Sequence, residues 1–162
     1  MEAKSKGSRR PLAAIVGATC AACLLVLVPK NEGTVLKTYR DLGGVLTYCT
    51  GATEDAQWGK TYTLDECKVQ LDRDLSRHAE GIAKCIPLDK LTDGQKVAFV
   101  DTAYNVGVAA FCSSSMARNA NAGDMARACA ALSMWDKVDG RPVKGLTIRR
   151  AKARELCERG LQ

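Results

Sequence analysis

The stretch Asn31-Glu-Gly-Thr-Val-Leu-Lys-Thr-Tyr-Arg-Asp-Leu-Gly-Gly-Val-Leu-Thr47 decides how this chain is read. Lys37 to Asp41 predicts one strand, Gly43-Gly44 a tight turn and Val45 to Thr50 the return strand. A hairpin of that length brings Asp41 and Thr47 near each other on facing strands, with Glu32 just ahead of it. Two carboxylates and a hydroxyl at one cleft suit cleavage of a glycosidic bond. One carboxylic acid protonates the leaving oxygen, and the other carboxylate handles water on the opposite face of the sugar. Glu32, Asp41 and Thr47 are therefore the candidate catalytic residues. By spacing alone, a Glu and an Asp nine positions apart are usually two solvated charges, so the blocks around them carry the weight.

Downstream, Thr63-Leu-Asp-Glu66 is a capping box that opens an apolar-periodic run. Leu64, Cys67, Leu71, Leu75, Ile82 and Ile86 recur at helical spacing, which predicts a helix over 64–85 with a core-facing stripe, ended by Pro87. His78 on this helix reads as a surface residue and is given no role. Thr92-Asp-Gly-Gln95 is a second capping box. It opens a buried helix through Val97, Phe99, Val100 and Ala103 to about Asn105, ended by Gly107. A short helical region begins at Cys112-Ser-Ser-Ser115, residues 123–135 are helical and rich in alanine, and Gly140-Arg-Pro142 is a turn. Residues 147–159 form a basic terminal helix whose Arg149 and Arg150 are solvated or hold nearby carboxylates. One hairpin lobe followed by helices predicts an α+β domain, a small β-hairpin lobe and a larger helical lobe with a cleft between them.

The run Glu-Gly-x5-Tyr-x-Asp-x2-Gly-x2-Thr-x-Cys, from Glu32 to Cys49, closely resembles the active-site segment of phage-type lysozymes, glycoside hydrolase family 24. Ala103-Tyr-Asn-Val-Gly-Val-Ala-Ala-Phe111 looks like that family's Asn-x-Gly segment. Asn121-Ala-Gly-Asp124, Trp135 and Gly145-Leu-Thr-Ile-Arg-Arg150, with Glu155 and Cys157, match in order and spacing. The resemblance covers about residues 31–160. It implies a lysozyme-like fold and an endolysin that hydrolyses the β-1,4 bond between N-acetylmuramic acid and N-acetylglucosamine in peptidoglycan. Glu32 is then the general acid, helped to keep its proton by partial burial. Asp41 orients or activates water or stabilises the oxocarbenium-like transition state, and Thr47 positions that water. Asn105 is a candidate to bind a sugar N-acetyl group, with capping of the helix end as its plain alternative. Trp135 reads as core rather than a sugar platform. The chain departs from the family pattern in one place: His is common after the Thr-x-Cys block, and here Thr50-Gly-Ala52 follows. A non-catalytic peptidoglycan-binding protein on a lysozyme scaffold is the alternative, and the intact Glu32, Asp41 and Thr47 set argues against it. A lytic transglycosylase is a further enzyme reading, and a holin-like membrane-disrupting protein is favoured only by the apolar N-terminal run.

The 162 residues suffice for one domain with a real core, and 46% hydrophobic with 26% charged residues exclude a disordered chain. The formal charge is +6, about half of it from Lys4, Lys6, Arg9 and Arg10 against Glu2 in the first ten residues. The remainder is too mildly basic to indicate nucleic acid, and the chain is expected to act as a monomer. Eight cysteines include no Cys-x-x-Cys pair in the globular part, and the chain has a single histidine, so no metal or cofactor is expected. Cys49, Cys67, Cys85, Cys112, Cys129 and Cys157 point to disulfides formed in an oxidising compartment, with their pairing left open.

Residues 12–28, Leu-Ala-Ala-Ile-Val-Gly-Ala-Thr-Cys-Ala-Ala-Cys-Leu-Leu-Val-Leu-Val, carry no charge and lie between Pro11 and Pro29. This is the short limit for a membrane span, diluted by alanine, and the basic residues before it predict a cytoplasmic N-terminus. The Val26-Leu-Val-Pro-Lys30 sequence is a poor signal-peptide cleavage site. The expected organisation is a basic cytoplasmic tail over 1–10, a membrane segment over 11–29 and a lysozyme domain over 30–162. The segment resembles the signal-arrest-release helix of some endolysins. That resemblance implies a protein held first in the host inner membrane through residues 11–29 and then released into the periplasm. A permanent anchor is the alternative. No cysteine adjoins Glu32 and position 41 is Asp, which argues against thiol caging of the catalytic set, while exchange of Cys20 or Cys23 with Cys49 stays open.

Overall fold

A computed structural model of the chain describes residues 9–160. The basic tail expected over 1–10 lies, up to residue 8, outside the described residues. The elements run α1 (Leu12–Val16), α2 (Ala18–Glu32), β1 (Val35–Arg40), β2 (Leu46–Cys49), α3 (Leu64–Ala83), α4 (Asp93–Val106), α5 (Val108–Cys112), α6 (Ser115–Asn121), α7 (Met125–Ala131), β3 (Lys137–Val138), β4 (Arg141–Pro142) and α8 (Lys144–Arg159). Single 3-10 turns at Leu88–Lys90 and Leu132–Met134 complete the chain path. The expected α+β organisation holds, with one hairpin lobe set against a body of helices.

The hairpin forms where its sequence places it. β1 and β2 pair antiparallel, with Tyr39 opposite Thr47 and Arg40 opposite Leu46. The turn is closed by Asp41, whose backbone N–H donates to the Val45 carbonyl and whose carbonyl accepts from Gly44. Gly44 holds φ 77°, a value that side chains with a Cβ rarely adopt. Tyr48, Cys49, Ala52, Tyr62 and Cys67 form a small separate core under this lobe, and the Tyr48 and Tyr62 rings stack at 4.2 Å.

Both capping boxes are present. Thr63 accepts from the Glu66 amide while Glu66 accepts from Thr63, and Thr92 and Gln95 do the same at the start of α4. The stripe on α3 is buried from Cys67 to Ile82, but Leu64 is exposed because it sits in the first turn, outside the packed surface. α4 is the central helix. Gly94 and the run from Val97 to Ala103 are buried, so it is enclosed on nearly all sides. A Cβ on Gly94 would lie 2.2 Å from the Leu156 carbonyl oxygen, and this glycine lets the start of α4 meet the end of α8.

The apolar N-terminal run is packed into the body in the folded chain. Gly17, at φ 94°, breaks it into α1 and α2. Leu12, Val16, Cys20, Ala21, Leu24 and Val28 are buried in the same core as Leu75, Phe99 and Leu132. No helix among the described residues is long and apolar enough to cross a membrane. The expected boundary at residue 30 coincides with no element end, because α2 passes through Pro29 and stops at Glu32. There the Gly33 amide donates to the Pro29 carbonyl at 2.8 Å.

Three disulfides resolve the pairing left open by sequence: Cys49–Cys67, Cys85–Cys112 and Cys129–Cys157. They tie β2 to α3, the end of α3 to α5, and α7 to α8. Loops of 18, 27 and 28 residues each remove on the order of 3 kcal/mol of unfolded-state freedom in the chain-entropy picture. Cys20 and Cys23 are free, and burial, followed by contact with Asp93, pushes the Cys20 thiol up to about 12.

Candidate active site

Glu32 is delivered to the cleft by the last turn of α2. Its side chain is 28% exposed, and its Oε1 accepts from Arg149 Nη1 at 2.6 Å. Arg149 reaches it from α8 and forks onto a second carboxylate. Its Nη2 donates to Asp101 Oδ1 at 2.9 Å and its Nε to Oδ2 at 3.4 Å. Asp101 is buried on α4 and also accepts from Asn31 Nδ2 at 3.5 Å. Burial works against the Arg149 charge, but the Asp101 and Glu32 carboxylates outweigh it and raise its pKa. Of the two fates sequence left open for Arg149, it takes the second and holds carboxylates. Two carboxylates share one guanidinium here, so a proton on Glu32 leaves the group neutral.

Glu32 lines a cleft of about 330 Å³ together with residues 50–54, Asp74, Arg77, His78, Tyr104 and Asn105. The hairpin lobe forms one wall, and α3 and α4 form the other. Three ties hold the walls together. Tyr104 Oη donates to the Thr50 carbonyl at 2.7 Å, Arg77 Nη1 donates to Glu54 Oε2 at 3.0 Å, and Cys49 is bonded to Cys67. Arg77 also pairs with the buried Asp74 one turn back on α3. Burial, with the negative charges of Asp74 and Glu32 nearby, raises the Tyr104 pKa, so its hydroxyl stays a donor.

Asp41 and Thr47 sit on the hairpin and do not line that 330 Å³ cleft. Asp41 is exposed at the end of β1, and its Oδ1 accepts from the Gly43 and Val45 amides, both at 2.9 Å. The carboxylate is thus fixed by the turn it closes. Thr47 is buried and its hydroxyl donates to the Val45 carbonyl at 3.0 Å. Asn105 lines the cleft; its Oδ1 accepts from Arg150 Nη2, which leaves its amide N–H groups free to face a ligand. Arg150 is buried, donates from Nε to the Trp135 carbonyl, and has its pKa lowered by burial and then by Arg149 alongside.

Sequence reasoning missed Asp101, Glu54, Asp74, Arg77 and His78. One signal was available: an aspartate inside the apolar run Val97–Ala103 must have a charged partner if it is buried. The lobe-to-lobe tie from Arg77 to Glu54 spans 23 residues of chain and left no such signal.

A hairpin lobe closed on a helical body, with a glutamate at a helix end on the cleft between them, defines a lysozyme-like protein. The model of the family described as phage lysozyme matches residues 29–153. The SAR-endolysin of Enterobacteria phage PA-2 is 39% identical over 163 residues, 95% of this chain and 97% of that protein. Among solved structures, the muramidase domain of SpmX from Asticaccaulis excentricus superposes with a TM-score of 0.77 at 25% identity, over 84% of this chain and 95% of that one. The active form of the P1 phage endolysin Lyz shares the fold with a TM-score of 0.75 at 21% identity, over 93% of this chain and 95% of its own. The chain belongs to the phage lysozyme family and is of its SAR-endolysin type.

Proposed function

We propose that this protein is an endolysin that hydrolyses the β-1,4 bond between N-acetylmuramic acid and N-acetylglucosamine in peptidoglycan, with Glu32 as the general acid. The observation that carries the reading is the Glu32 carboxylate at the end of α2, bonded through Oε1 to Arg149 and facing an inter-lobe cleft. Arg149, anchored on Asp101, sets the rotation of the carboxyl and leaves Oε2 to address the glycosidic oxygen. A proton passes from Glu32 to that oxygen as the bond breaks. Asp41, held by its two turn amides, is the carboxylate for water or for the developing positive charge, and Thr47 supports it from β2. Asn105 is assigned to the sugar N-acetyl group. Digestion of purified peptidoglycan, with mass spectrometry of the new ends, tests the reading. Hydrolytic muramic ends are expected; anhydro-muramic ends would make the protein a lytic transglycosylase, and no new ends would leave a binding protein.

The same proposal includes a membrane-held precursor. Residues 11–29 lie in the host inner membrane first, with the N-terminus cytoplasmic, and the protein is then released uncleaved into the periplasm, where it works as a monomer on the wall. Two observations support this: the SAR-endolysin relatives, and the continuity of the apolar run with α2, which ends in Glu32. A chain whose α2 is in the bilayer has no Glu32 at its cleft. Fractionation of expressing cells checks it: full-length protein should divide between membrane and soluble periplasm.

A further inference from the structure

We infer that His78 is a substrate-binding residue, its Nε2 accepting the N–H of a sugar acetamido group in the cleft; this rests on the muramidase reading above. His78 is the chain's single histidine and stands on α3, on the cleft wall opposite the hairpin lobe. Its Nδ1 lies 2.6 Å from the Asp74 carbonyl oxygen. A carbonyl only accepts, so this contact assigns the ring hydrogen to Nδ1 and leaves Nε2 of the neutral ring with its lone pair. The ring also packs against Tyr104 at 5.1 Å between centroids, tilted by 55°. One hydrogen bond and one aromatic contact therefore fix the direction in which Nε2 points.

Three neighbouring side chains are already committed through the atoms nearest to it. Tyr104 gives its hydroxyl hydrogen to Thr50, Arg77 is divided between Glu54 and Asp74, and Asn105 Oδ1 is taken by Arg150. Asn105 Nδ2, a donor, and His78 Nε2, an acceptor, have no hydrogen-bond partner among the described residues and line the same wall of the cleft. One donor and one acceptor on the same wall complement an acetamido group, which offers one carbonyl and one N–H. A sugar carrying a free amine in place of the acetamide would lose the carbonyl that Asn105 Nδ2 addresses, and with it one half of the paired contact, so this wall favours N-acetylation.

Because the chain has a single histidine, its ring nitrogens give one pair of ¹⁵N resonances with no assignment problem. The experiment uses full-length Glu32→Gln protein, which holds substrate without turnover, labelled at histidine. It is titrated with a tetrasaccharide of alternating N-acetylglucosamine and N-acetylmuramic acid, and separately with the same fragment after N-deacetylation. The His78 Nε2 resonance should move with the acetylated fragment, and its shift should saturate at a lower concentration with that fragment than with the other. In an otherwise wild-type background, His78→Phe should raise KM on the order of tenfold, the usual loss for one hydrogen bond. kcat should stay within about twofold, and His78→Gln, which offers an amide oxygen, should recover part of the loss. A bound fragment that leaves the His78 resonances unmoved, or a His78→Phe enzyme with wild-type KM, overturns the assignment while the muramidase reading stands. Failure of wild-type protein to cleave the wall, with no fragment bound, overturns both. If His78→Phe does not fold, the resonance test still decides.

Discussion

In the proposed mechanism Glu32 acts through one oxygen and is held through the other, and its variants separate these tasks. Glu32→Gln keeps the shape and the Arg149 contact but has no proton to give, so wall hydrolysis should fall at least about a hundredfold with the thermal melt unchanged. Asp41→Asn retains an Oδ1 for the Gly43 and Val45 amides while removing the charge. Its activity should drop with stability kept within about 0.5 kcal/mol, whereas a loss that tracks the melting temperature would make Asp41 a turn residue only. Arg149→Met strands Asp101, which is 2% exposed, as a buried charge with no cation. The expected cost is about 3–5 kcal/mol. Adding Asp101→Asn should recover much of it, which denaturant unfolding of the single and double variants measures. The candidates Glu32, Asp41 and Thr47 were proposed from the blocks around them, which lie within one short stretch of chain. The Arg149 to Asp101 fork was not, since its partners lie 48 positions apart and meet only when α4 packs on α8.

Among the elements, agreement between sequence and structure follows how local the deciding chemistry is. The hairpin turn and the two capping boxes are settled within a few residues, and all three form as read. For α1 and α2 the deciding chemistry is not local. Hydropathy measures only how much a segment gains by leaving water, and it is blind to whether lipid or the chain's own core receives it. Gly17 and the burial of Leu12, Leu24 and Val28 place the segment in the protein interior. The Gly94 contact gives a sharp test of the helical body. Gly94→Ala drives a methyl into the Leu156 carbonyl, with backbone on the other side as well, and should destabilise by about 1–3 kcal/mol or more by thermal melt. The capping box on α3 predicts a pH dependence. The Thr63 backbone N–H, and after it Lys60, hold the Glu66 carboxyl below its ordinary range. A carboxyl lowered on folding stabilises above its unfolded pKa and loses that contribution as pH falls through the folded value. The stability gap between wild type and Glu66→Gln should therefore be present at neutral pH and close below about pH 4.

In the molecule as a whole, the thiol count is the simplest check of the covalent framework. Denatured, unreduced protein should show two free thiols, those of Cys20 and Cys23, and native protein should label Cys20 slowly because it is buried. Finding eight thiols would remove the framework. The number of disulfides was legible in the count of globular cysteines, but their partners were not, because six cysteines permit fifteen pairings and only the packing selects among them. The selected pairs follow one another along the chain, 49 with 67, 85 with 112 and 129 with 157, and no loop encloses another. Each can close as soon as its own stretch of chain has reached an oxidising space, with no need of a partner from another loop. All three also lie beyond residue 48. The described residues before that point, including Glu32 and both N-terminal helices, are held to the rest by packing, hydrogen bonds and ion pairs. The covalent framework of the body is thus closed without its N-terminal portion, and undocking of that portion would break no covalent bond and need no redox partner.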